Sequence, residues 1–219
     1  MFKKLFNFGE DDSPSAADTV RYPSAKEVIA LDKKVDDMAA TMTPQQGVLW
    51  AGKSTEMVKD VTPPDDMMAA EAALTFARLP TEDARKKAVK AAKAVEAPGP
   101  GVMAAQAAGL VPVSEPAKDP GGILKMATAA VAPLVAGAVK LAAAMKADPA
   151  KVVKAALPMP KVDLKAPEMP KAPQLDPALV MPSEQALQQL GGEQLAKSAQ
   201  ALEPFLKLGE SIQRGQITA

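Results

Sequence analysis

From Ser24 onward, stretches whose large apolar residues recur every three or four positions alternate with breaks rich in proline and glycine. Val28, Leu31, Val35, Met38 and Met42 share one side of an α-helix, and the Ser24-Ala25-Lys26-Glu27 box in front of them satisfies helix-start amides. Thr43-Pro44-Gln45-Gln46 marks a second start, with proline at the first helical position, and predicts a helix carrying Val48, Leu49, Trp50, Met57, Val58 and Val61 as far as Pro63-Pro64. Asp65 and Asp66 suit the positive end of a third helix to about Leu79, with Met67, Ala70, Leu74 and Ala77 on one face. Thr81-Glu82-Asp83 opens a fourth through Val95, whose alanines oppose Arg85, Lys86, Lys87, Lys90 and Lys93, a solvated face on this reading.

Val102 to Val111 predicts a short fifth helix, and Ile123 to Met145 a sixth, kinked at Pro133 and expected to be the buried centre of a bundle. Between Pro158 and Pro182 proline is too frequent for helix or central strand, yet Met159, Val162, Leu164, Met169 and Leu175 are spaced along it. Ser183 to Leu190 predicts a short helix. Glu193 to about Gln213 predicts a last one, bent at Pro204. The resulting expectation is an all-α protein. It comprises a flexible amphipathic segment (1–23), a compact helical bundle (24–157), a Pro-rich strap or linker (158–182), and C-terminal helices that pack on the bundle (183–219).

Composition sharpens this picture. The chain is 47% hydrophobic but only 3% aromatic, so alanine-lined helices must approach closely. Strand-forming runs of β-branched and aromatic residues are absent, and the 21 prolines, about twice the usual ~5% share, require helices that are short or separated by stiff connectors. With 26 basic and 26 acidic residues and no basic stripe with interleaved aromatics, a nucleic-acid partner is not expected. The absence of Cys and His removes thiol and histidine nucleophiles, bases and metal ligands, so no catalytic, cofactor or metal residue is assigned.

Two patterns invite chemistry. Gly47-Val48-Leu49-Trp50-Ala51-Gly52-Lys53-Ser54 matches the phosphate-loop string, in which Lys53 would meet phosphate and Ser54 magnesium. The string requires a preceding buried strand, whereas Thr41 to Gln46 supplies none and the interior reads as a helical face. The acidic pairs Asp11/Asp12, Asp36/Asp37 and Asp65/Asp66 are read as caps and solvated charges. Met67, Met68, Met103, Met126 and Met145 fall at core-like spacings. At the N-terminus, Phe2, Leu5, Phe6 and Phe8 beside two lysines could meet a membrane surface. That start lacks the apolar core of a secretory signal. The Ile123–Met145 run reaches a membrane-spanning length only by including lysines.

Taken in order, Trp50-Ala51-Gly52-Lys53-Ser54, Ala70 to Pro80 with Arg85-Lys86-Lys87-Ala88, Met103-Ala104-Ala105 leading to Ser114, Val135 to Val139, and Phe205-Leu206-Lys207-Leu208-Gly209-Glu210-Ser211-Ile212 resemble a bacterial all-α domain of unknown function. Its members often lie near type VI secretion genes. This chain departs from that pattern at Phe76, where tryptophan is usual, and at Met103 and Leu110, where large aromatics are common. The resemblance implies an accessory or adaptor role, and the chain is read as a cytoplasmic, non-catalytic adaptor for a protein partner such as a secretion component. The candidate partner-binding residues are Trp50, Phe76, Met159, Val162, Leu164, Met169, Leu175 and Phe205. The alternatives are a peripheral membrane-surface protein acting through residues 1–8 and a secreted effector.

Overall fold

The computed structural model describes residues 23–96, 99–113, 120–148 and 192–218. Among these are seven α-helices and no strand: α1 (Ala25–Thr41), α2 (Pro44–Glu56), α3 (Pro64–Arg78), α4 (Glu82–Ala94), α5 (Pro100–Leu110), α6 (Pro120–Ala147) and α7 (Gly192–Gln213). The all-α expectation therefore holds. The segments 1–22 and 149–191, with Met159, Val162, Leu164, Met169 and Leu175, lie outside the described residues.

Local chemistry sets the helix ends. At α1, Ser24 accepts from the Glu27 amide while the Glu27 carboxylate takes the Ser24 N–H at 2.7 Å, and Thr43 and Gln46 repeat this box at α2. Pro44, Pro64 and Pro100 occupy first-turn positions where a missing N–H costs nothing. The far end of α7 closes on Gly215 at φ 70°. The Gln216 amide returns to the Ser211 carbonyl and the Gly215 amide to that of Ile212, a Schellman closure that glycine makes without strain.

The second helix ends earlier than its apolar pattern suggests. It stops at Glu56, and Lys59–Val61 forms a separate 3₁₀ turn. Val58, just before that turn, is buried.

The helices stack in sequence from one flank to the other. α4 packs on α3 and α5, these pack on α2, α5 and α2 both meet α6, and α1 and α7 close the far side against α6 and each other. The interior is built from small side chains. Ala69, Ala70, Ala73 and Ala77 of α3 and Ala104, Ala105, Ala107 and Ala108 of α5 are all fully buried, which lets neighbouring axes approach toward the short end of the ~8–10 Å range. Trp50, Phe76 and Phe205 supply the bulk.

The expectation that the Ile123–Met145 helix is the buried centre is corrected. The enclosed helix is α5, buried from Pro100 to Gly109, which accounts for its lack of a polar face. α6 is two-sided, with Val131, Leu134, Val135, Ala138, Val139 and Ala142 inside and Lys125, Met126, Ala129, Ala144 and Lys146 outside. Lys125–Ala147 is long and apolar enough, by length and composition, to cross a membrane, but here it packs against α1, α2, α5 and α7. Among the methionines, Met103 and Met145 are buried as expected, whereas Met68 and Met126 stand in solvent at 64% and 50% exposure. Met38 and Met42 are buried as well, as the apolar spacing of the first helix predicts.

Candidate functional site

The phosphate-loop string lies wholly inside α2. Its amides therefore serve the helix and form no cradle. Gly47 faces the Val135 side chain of α6, Gly52 faces Leu74 of α3, and Lys53 pairs with Glu56 at 2.7 Å. Both glycines thus mark helix contacts. The Ser54 hydroxyl is buried with no hydrogen-bond partner among the described residues. No group of three or more His, Cys, Asp or Glu side chains is placed among the described residues to hold a metal.

The three aromatic candidates are wholly enclosed, each at 0% exposure. Trp50, Phe76 and Phe205 offer no surface to a partner in this conformation, so their place in the molecule is packing. Phe76 sits on the inner side of α3. Trp50 and Phe205 meet where α7 crosses α2. There the Trp50 indole Nε1–H donates to the Phe205 carbonyl at 2.9 Å, and Gly209, one turn on, lies against the indole ring. A Cβ at Gly209 would stand 2.8 Å from Trp50 Cε2 and would strike the Met38 sulfur. Its absence uncovers the Phe205 carbonyl one turn back, so close approach, rather than backbone freedom, requires glycine here.

Polar groups rim this contact. Lys34 of α1 pairs with Glu210 at 2.8 Å, and Gln213 donates to the Thr41 hydroxyl at 2.9 Å. Gln46 at the start of α2 donates to the Ile212 carbonyl at 3.5 Å, close to the limit for such a bond. The Lys146 ammonium lies 5.6 Å from the Phe205 ring centroid, within cation–π reach.

Three polar side chains, of which Asp66 is buried, act at the ends of helices other than their own. Asp66, read as an acid for the start of its own helix, is buried and reaches across to α5. Its carboxylate accepts from the Val102 amide at 2.7 Å and the Gly101 amide at 3.2 Å. These are the second and third helical positions, the pair an N-cap side chain normally serves. The N-cap itself is Gly99, which has no side chain to serve them. A Gly-Pro-Gly helix start lacking its own capping oxygen was the available signal for a cap supplied from elsewhere. At the opposite end of α5, Arg85 donates to the Gly109 carbonyl at 3.0 Å while Glu82 holds its other edge. Gln45 likewise closes α3 by donating to the Ala77 carbonyl at 2.7 Å.

Asp36 is half exposed, in keeping with the solvated reading, and also takes part in an ion pair between helices. Lys140 of α6 lies between Asp32 and Asp36 of α1, at 2.8 and 2.7 Å, with only 10% of its side chain exposed.

Burial pushes the Asp66 carboxyl above the usual 3.8, against the opposing pull of the Val102 and Gly101 amides. Burial raises Asp32 as well, opposed by Lys140. Glu82 and Glu210 run the other way, each held low by its basic partner. For a raised carboxyl the stabilising contribution is complete below the unfolded value and is lost as pH rises through the folded one. The stability of the natural chain minus that of Asp66→Asn therefore falls as pH rises from 3.8 through the folded midpoint. Carboxyl carbon NMR titration checks this directly, and an Asp66 midpoint at or below 3.8 would contradict it.

A family model describing a family of unknown function (DUF6931) matches residues 30–159, a range that holds α2 to α6 and most of α1 and leaves out α7. The Phe205–Ile212 portion of the sequence resemblance thus lies beyond the matched residues. No curated protein and no solved structure matches the chain. Since the match covers more than half of the chain, the protein belongs to the DUF6931 family, whose function is unknown.

Proposed function

We propose that this protein is a non-catalytic, cytoplasmic helical adaptor that binds a protein partner, and that the partner belongs to a bacterial type VI secretion machine. The observation that carries the reading is how four of its polar side chains are used. Asp66, Arg85, Gln45 and Lys140 are each engaged in closing a helix end or tying two helices together. These side chains serve architecture, which supports a role in recognition. The secretion partner rests on the resemblance in sequence, whose relatives often accompany such genes. The Pro-rich 158–182 segment falls between α6 and α7 in the sequence, and its spaced Met159, Val162, Leu164, Met169 and Leu175 suit extended-peptide recognition.

An affinity pull-down from the native cell, with the full-length protein beside a deletion of residues 158–182, tests the proposal. Capture of a secretion component by the full-length form alone is the expected result. Capture of nothing above background by either form removes the adaptor reading.

A further inference from the structure

We propose that the seat of α7, formed by α1, α2 and α6, is a helix-acceptor groove, and that a partner enters it as an amphipathic helix displacing α7. This deepens the adaptor reading and rests on it. The seat is built from the family-matched residues, while its occupant lies outside them and returns after residues 148–191. The core thus forms a helix-shaped site from one stretch of chain and fills it with another.

The groove has a readable code. Its floor is the Trp50 indole, whose N–H needs a helix carbonyl that no side chain covers. α7 meets this with Phe205 followed one turn later by Gly209, an aromatic-x-x-x-Gly pair, and continues the apolar side with Leu202, Leu206 and Ile212, all buried. Lys34 at the rim takes an acid next to the glycine, Glu210 in this chain. A competing helix is thereby specified as an aromatic, three spacers, glycine and then an acidic residue, with leucine-type residues on the same side. Covalent attachment presents α7 at an effective concentration of order mM. A free helix at μM levels then competes poorly unless it binds more tightly or the attachment is relieved.

The experiment keeps the whole chain. A protease site is inserted between Pro170 and Lys171 and cut in the folded protein, leaving α7 seated but no longer tethered. A fluorescent peptide of residues 192–214 is then added, and its uptake is followed by anisotropy, with helix content followed by circular dichroism. The peptide is expected to replace α7 in the cut protein, and to bind the uncut protein at least ~100-fold more weakly because of the lost effective concentration. The same peptide carrying Gly209→Leu is expected not to bind. The proposal is overturned if the cut protein retains its own α7 without exchange, if it loses its helices once α7 leaves, or if the Gly209→Leu peptide binds equally well. These readouts use no cellular partner. A failed pull-down therefore removes the adaptor reading without touching the groove, and failed exchange removes the groove without touching the strap.

Discussion

Trp50→Ala lowers the unfolding free energy by about 3–5 kcal/mol, the range for deleting a large aromatic from a packed core. That is a large part of the ~5–15 kcal/mol by which a domain of this kind is stable. The side chain is fully buried, and its neighbours belong to three different helices: Met38 of α1, and Phe205 and Gly209 of α7, against α2 itself. Removing it leaves a cavity that no single helix can refill by a small shift. The α7 contact is lost first, because the indole both carries Gly209 and supplies the N–H to the Phe205 carbonyl. Trp50→Phe separates these contributions: the ring surface largely stays and the hydrogen bond goes, for a smaller cost of about 1 kcal/mol. Because Trp50 is the only tryptophan, tryptophan fluorescence is lost in both variants, and urea unfolding followed by circular dichroism is the measurement. A loss under ~1 kcal/mol for Trp50→Ala would mean that the indole does not hold α7 to the bundle.

Much of the fold was legible because its helices announce their own starts. Ser24 with Glu27, Thr43 with Gln46, and Thr81 act within one turn of sequence, and the structure uses each of them as a cap. Apolar spacing likewise placed Val35, Met38, Leu74 and Leu202 in the core. What sequence concealed is non-local. Asp66 and Val102 are 36 positions apart, and nothing within the first turn of α3 distinguishes an acid serving its own dipole from one turned toward another helix. The centrality of α5 was hidden for a related reason. A helix of Pro, Gly, Val, Met and Ala has few large side chains, so it looks less like a core than the longer α6, yet only such a slim helix can be enclosed on all sides. The Trp50–Gly209 contact was half legible: the tryptophan stood out as an anchor, but a glycine inside a helix reads as a weakness until the ring it accommodates is seen.

A residue that should favour the helix is expected to break its packing at Gly101. In an isolated helix, Gly→Ala gains up to about 1 kcal/mol from reduced backbone freedom. Here the new Cβ would collide with the Asp66 backbone carbonyl and crowd the Ala70 amide 3.1 Å away. Those obstacles are backbone atoms of α3 and cannot turn aside as a side-chain tip would. Relief requires α3 and α5 to separate, and forced separation in a close-packed core costs about 1–3 kcal/mol. It also draws the Asp66 carboxylate off the Gly101 and Val102 amides. The expected sign for Gly101→Ala is therefore destabilising, opposite to its intrinsic propensity. Asp66→Ala isolates the second part: two buried N–H groups lose their acceptor, at about 1–3 kcal/mol each. If the two variants act through the same contact, the double variant costs less than the sum of the singles, whereas independent effects would add to within about 0.5 kcal/mol. Thermal and urea unfolding of the four chains decides it. A Gly101→Ala chain as stable as the natural one would mean that α3 and α5 do not approach this closely in solution.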